Sequence, residues 1–201
     1  KPGEGYYTTT AIADRAVEWL GGHDAEHRGE PFFLFLAFTS PHFPLQAPAE
    51  DVDRYRSKYV AGWDAVREAR WRRQRELGLH DAALSDRDPK TIPSWNLPEK
   101  ELKERIGPGE VGYAVAWDSL TPEQKEFQAT KMAIHAAMVD RIDREVGKVL
   151  ARLEASGVLD DTLILFASDN GASAEQIIRG DGHDPAAAPG SAGASLSLAP
   201  G

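Results

Sequence analysis

The apolar run Thr162-Leu163-Ile164-Leu165-Phe166-Ala167-Ser168 closes on Asp169-Asn170-Gly171, and nothing else in the chain narrows its choice of fold as much. A run with no polar alternation suits a strand covered on both faces, as in a parallel sheet. Its end delivers a carboxylate and a carboxamide to one sheet edge, two hard oxygen donors of the kind a calcium or magnesium ion takes. A second apolar run, Pro31 to Phe38, ends in Thr39-Ser40-Pro41-His42-Phe43-Pro44. If the two runs are neighbours in a parallel sheet, His42 and the oxygen pair open on one crevice, where α/β sheets gather their ligands.

The segments around the runs have the grammar of a doubly wound α/β fold. Tyr7 to Leu20 reads as a helix, with Thr8 to Thr10 offering capping hydroxyls, Ile12, Ala16, Val17 and Leu20 on one face, and Gly21-Gly22 as its stop. Pro41, Pro44 and Pro48 then force an extended, irregular segment. Glu50 to Gly78 is expected to be helical for much of its length, with Tyr55, Tyr59, Trp63, Val66 and Trp71 as anchors. The proline-rich stretch within 79–118 is expected to be a surface insertion. Thr121-Pro122, with Gln124 three residues past the threonine, is a capping-box start, and the helix it opens runs to about Ser156. Met138, Ile142, Val146, Val149 and Leu153 form its apolar stripe, with Arg141, Glu145, Lys148 and Arg152 opposite.

Composition excludes several classes. A net charge of −9 argues against a general nucleic-acid surface, and Arg67 to Arg75 reads as a solvated helix face among acidic neighbours. The absence of cysteine removes disulfides and thiolate-held metals. No apolar stretch is long enough to span a bilayer. The chain starts at Lys1-Pro2-Gly3 and stops within Leu196 to Gly201, so both ends read as cut from a longer protein. Periplasmic or secreted placement is open, because any leader would lie outside this segment.

The residues alone leave more than one role for each candidate. Asn170-Gly171 is a favoured tight-turn dipeptide, though Gly171 could make that turn while Asp169 and Asn170 face one ion. His42 could bond its own loop, or stand between two stiff prolines at a fixed distance from a substrate oxygen. His183 reads as a turn-rich loop residue and His135 as a packing or surface residue, while His23, His27 and His80 sit in polar loops.

Three segments together resemble the type I sulfatases, bacterial arylsulfatases most of all. They are Ser40-Pro41-His42-Phe43-Pro44-Leu45-Gln46-Ala47-Pro48, Met138-Val139-Asp140-Arg141-Ile142-Asp143 with Val146-Gly147, and Leu163 to Gly171. The resemblance implies an alkaline-phosphatase-like α/β fold: part of a doubly wound, mainly parallel sheet with flanking helices, truncated at both ends. The whole of 1–201 would then be a partial catalytic domain. It also implies a calcium ion held in part by Asp169 and Asn170, a sulfate contact from His42, and a small-molecule or glycan sulfate ester as substrate.

The same resemblance implies parts that this chain lacks. The family's nucleophile is a formylglycine made within a Cys/Ser-x-Pro-x-Arg motif, which does not occur here. The acidic pair that completes the calcium site is absent as well, since Asp160-Asp161 precedes the strand, and the active-site lysine would fall beyond residue 201. The expectation is therefore a central segment of a sulfatase that is inactive alone. The alternatives are a phosphonate monoester hydrolase or phosphodiesterase of the same superfamily, and a non-catalytic scaffold.

Overall fold

The computed structural model describes residues 5–88 and 96–172. Its spine is the long helix that the capping box predicts. Thr121 Oγ1 accepts from Gln124 N at 3.2 Å, Gln124 Oε1 accepts from Thr121 N at 3.0 Å, and Pro122 occupies the first turn. Counting the five α-helices among the described residues in chain order, they are α1 (Thr8–Glu26), α2 (Ala49–Asp53), α3 (Gly62–Glu76), α4 (Glu99–Arg105) and α5 (Pro122–Ala155). Single 3₁₀ turns lie at Arg56–Lys58 and Trp117–Ser119.

Three apolar clusters follow one another along α5. Near its start, Ala129 packs with Val111, Trp117 and Leu120. At its middle, Ala133, Ile134, Ala137 and Met138 bury Val52 of α2, with Tyr55 and Tyr59 alongside. Toward its end, Val149 and Leu153 meet Ala13, Ala16 and Leu20 of α1. Ala13 and Ala16 of α1 and Ala129, Ala133 and Ala137 of α5 are buried at these contacts, and small side chains are what allow helices to approach closely.

Helix α1 does not stop at Gly21-Gly22 as its sequence predicts; it continues to Glu26. Tertiary contacts beyond the glycines outweigh their poor helix propensity. Asp24 Oδ2 accepts from Arg152 Nη2 at 3.1 Å and from Ser156 Oγ at 3.3 Å. Glu145 departs from its expected place on the solvated face of α5. It is fully buried, accepting from Thr10 Oγ1 at 2.8 Å, with Lys148 Nζ 2.6 Å from its other oxygen. A carboxylate is tolerated there because cations and a hydroxyl replace its water. The 50–78 stretch is broken into α2, the 3₁₀ turn and α3, and Gly62 marks the last break at φ +82°.

Gly62 also sits against an indole. A Cβ added there would lie 2.0 Å from Trp117 Cδ2, in the cluster where Trp63 meets Trp117 edge-on at 5.0 Å. Gly62→Ala is expected to cost about 3 kcal/mol or more, from the left-handed backbone and overpacking together. Gly22→Ala, with nothing within 4 Å of the added Cβ, should instead be neutral or stabilising by about 0.5–1 kcal/mol. Urea midpoints at constant m-value measure both.

Neither apolar run is covered on both faces, and no strand ladder forms among the described residues. Phe32, Leu34 and Leu36 pack on the α1–α5 cluster, while Phe33 is 88 % exposed. Leu163 and Leu165 are 86 % and 85 % exposed. The physical reason is that the helix layer covers one face of the first run, through Phe32, Leu34 and Leu36, and leaves Leu163 to Phe166 of the second exposed on both faces. Burial of the second face needs a further layer and flanking strands, which the described residues do not supply. The low-complexity stretch from Ala186 and His183 lie outside the described residues.

Candidate functional site

His42 stands on the loop that follows the first extended run. The loop turns where His42 N donates to Thr39 O at 3.1 Å, and the Ser40–Pro41 and Phe43–Pro44 peptide bonds are both cis. The imidazole is exposed, and its Nδ1 lies 2.6 Å from Phe43 O. A carbonyl oxygen only accepts, so Nδ1 carries a proton there and Nε2 is left for a ligand. Downstream, Leu45 and Ala47 anchor the loop on the middle cluster of α5.

The first turn of α1 grips this loop on both sides of His42. Thr9 Oγ1 and Ser40 Oγ share a hydrogen bond at 2.9 Å, and Tyr7 OH donates to Gln46 O at 2.8 Å. Tyr7 is the N-cap residue and makes no capping side-chain bond. The threonine hydroxyls that sequence rules assign to capping serve tertiary contacts instead, Thr9 toward the loop and Thr10 toward Glu145. The pattern Tyr-Thr-Thr-Thr could signal only that hydroxyls were near a helix start; their partners lie 31 and 135 residues away.

Beside the loop, α2 is locked to α5 through Asp51. Its carboxylate is 0 % exposed and takes Arg54 Nη2 at 2.8 Å, Arg141 Nε at 2.7 Å and Arg144 Nη2. Arg141 continues the chain of charges to Glu50 at 3.2 Å and Glu145 at 3.5 Å. Burial pushes the Glu145 carboxyl up, but Lys148, Thr10 and Arg141 outweigh it and hold the group below its ordinary range.

Asp169 and Asn170 lie at the exposed tip of the second extended run, where Ser168 Oγ donates to Asn170 O at 2.6 Å. That bond curls the backbone after the run. No hydrogen bond or ion pair links His42 to Asp169 or Asn170 among the described residues, so the structure does not join the predicted pair of sites through contacts. Nor do the described residues hold three or more His, Cys, Asp or Glu side chains grouped to bind a metal. A carboxylate and a carboxamide suit a hard cation in kind, but calcium takes about six to eight oxygens. They would be part of a site, completed from elsewhere. An open cleft of about 560 Å³ lined by Asp86, Arg87, Tyr113 and Ser119 includes none of these three residues.

No helix among the described residues is long and apolar enough to cross a membrane. Comparison with known proteins matches the sulfatase family profile to residues 1–196. An uncharacterised sulfatase of Schizosaccharomyces pombe is 34% identical over 168 residues, covering 83% of this chain and 26% of that protein. An arylsulfatase of Klebsiella aerogenes is 33% identical over 171 residues, covering 85% of this chain and 32% of its own length. A multifunctional alkaline phosphatase superfamily protein of Trinickia caryophylli is 27% identical over 175 residues, covering 87% and 28%. The chain thus spans about a quarter to a third of these relatives. With a match over nearly every residue, this chain belongs to the sulfatase family.

Proposed function

We propose that this chain is the central part of a sulfatase catalytic domain, with 79–118 as a surface insertion, and that the whole protein hydrolyses sulfate esters. The observation that carries this reading is the family match over residues 1–196, which takes in both run ends, the His42 loop and the Asp169-Asn170 tip. In the proposal Asp169 and Asn170 give oxygen ligands to a calcium ion, and His42 contacts the sulfate group. The apolar runs, the first covered on a single face and the second exposed on both, support a sheet completed by chain outside these residues.

The chemistry suits the chain's own residues. A sulfate ester resists attack because its oxygens repel an incoming nucleophile. Calcium, when bound, offsets negative charge on those oxygens. Asp169 supplies an anionic ligand that holds the cation, and Asn170 a neutral one that adds coordination without more charge. His42, its Nδ1 proton committed to Phe43 O, meets a sulfate oxygen through Nε2. A hydrogen bond from that nitrogen would stabilise charge that grows as the ester bond breaks. The nucleophile, a formylglycine in this proposal, lies outside this chain.

A second reading is a phosphonate monoester hydrolase or phosphodiesterase, favoured by the similarity to the multifunctional Trinickia caryophylli protein. The deciding experiment compares kcat/KM on an aryl sulfate, an aryl phosphonate and an aryl phosphodiester, using the full-length protein that contains this chain. Sulfate preference, lost on chelation and restored by calcium, is the expected outcome. Phosphonate or diester preference would replace the first reading by the second, and inactivity on all three would leave a scaffold.

A further inference from the structure

We propose that Thr9 and Tyr7 are positioning residues for His42, a role that rests on the sulfate contact proposed for that histidine. The His42 ring makes its protein hydrogen bond with its own loop, at Phe43 O. Its place in the molecule therefore follows the loop backbone rather than any contact of the ring with a helix. Two hydroxyls from one helical turn hold that loop, Tyr7 through a backbone carbonyl and Thr9 through the Ser40 side chain. Thr9 Oγ1 binds Ser40 Oγ two residues before His42, and Tyr7 OH binds Gln46 O four residues after it.

Thr9 is 1 % exposed and Ser40 half-buried, so the bond is shielded from competing water on its Thr9 side. The same turn is itself registered on α5, because Thr10 Oγ1 donates to the buried Glu145 carboxylate at 2.8 Å. Position is thus passed from α5 to the first turn of α1, then to both flanks of the loop, and so to His42. Apolar contacts of Leu45 and Ala47 hold the loop's downstream side against the core. Such contacts are non-directional; the hydroxyl bonds to Ser40 Oγ and Gln46 O fix where the loop sits along the surface.

The helix start supports this assignment. A serine or threonine at the N-cap itself ordinarily spends its hydroxyl on the unpaired backbone N–H groups. Here the N-cap side chain makes no such bond, and Tyr7, Thr9 and Thr10 all reach to distant parts of the chain. Three hydroxyls of one helix start directed to distant segments, two of them at one candidate catalytic loop, are what a supported site looks like.

The test is a double-mutant cycle in the full-length protein, read as kcat and KM on an aryl sulfate. Thr9→Val removes the hydroxyl at nearly constant shape, Tyr7→Phe removes the other, and Thr9→Ser is the conservative variant. Each hydroxyl deletion is expected to lower kcat about tenfold with KM changed less than twofold, the scale at which a small misplacement of a catalytic group is felt. Thr9→Ser should restore most of the rate. In a His42→Ala background the same deletions should change kcat less than twofold. An equal loss in both backgrounds, or no loss in either, would overturn the positioning role. Should Thr9→Val fail to fold, the half-buried Tyr7→Phe pair of measurements decides the matter alone. A wild-type rate for His42→Ala itself would instead remove the sulfate-contact reading, so the two failures are distinguishable.

Discussion

Asp169→Ala in the full-length protein is expected to abolish sulfate-ester hydrolysis, with excess calcium restoring a small fraction at most. Ligand charge and ligand count decide the effect. Asp169 is the only anionic donor this chain is proposed to bring to the ion, and hard-cation affinity follows the number and charge of the oxygens. Removing it subtracts an anion from the site and weakens the hold on the cation as well as its placement. Asp169→Asn should recover coordination in shape but not in charge, and so lie between the two. Isothermal calcium titration beside steady-state turnover checks this. Wild-type affinity and rate in Asp169→Ala would defeat the ligand assignment and return Asp169-Asn170-Gly171 to a tight turn.

Asp51→Ala is expected to destabilise the fold by about 3–5 kcal/mol, the range found when one member of a buried ion pair is removed. Asp51 is fully buried and receives Arg54, Arg141 and Arg144. Arg141, only 13% exposed, would lose its strongest acceptor. The loss would be felt where α2 meets α5, beside Val52, Ile134 and Met138. Denaturant unfolding measures it; a change below about 1 kcal/mol would show that water and Glu50 compensate. The neighbouring Glu145 gives the network a pH dependence. Its folded pKa lies below the ordinary carboxylate value, so the unfolded chain takes up a proton first as pH falls. Its contribution is fully present above the ordinary glutamate range and is lost as pH drops through the folded value. Glu145→Gln should flatten that acid limb of the stability curve.

Most of the helical frame was legible locally. The capping box at Thr121 and the stripe through Met138, Ile142, Val149 and Leu153 foretold α5, because a helix start and a 3.6-residue period are written in nearby residues. The end of α1 was not legible. Gly21-Gly22 is a stop by propensity, and the contacts of Asp24 with Arg152 and Ser156 that override it join residues 128 and 132 positions apart in sequence. Glu145 misleads for the same reason, since a pattern of charges cannot tell a solvated carboxylate from one enclosed by Thr10, Arg141 and Lys148.

The candidate site divides along the same line. Residue chemistry and order belong to the sequence by itself: oxygen donors at the end of one apolar run, a histidine between prolines at the end of another, and the motifs that place the chain among the sulfatases. Those properties depend on which atoms each residue carries and on near neighbours, and a string of letters records both. The tertiary structure alone decided how His42 is held, with Nδ1 on Phe43 O and its loop gripped by Tyr7 and Thr9. It alone decided that the first apolar run is covered on one side by a single helix layer while Leu163 to Phe166 of the second stay exposed. Hydrogen-bond partners and burial are set by which distant segments meet, and that is settled by the packing of α1 and α2 on α5 rather than by any local pattern.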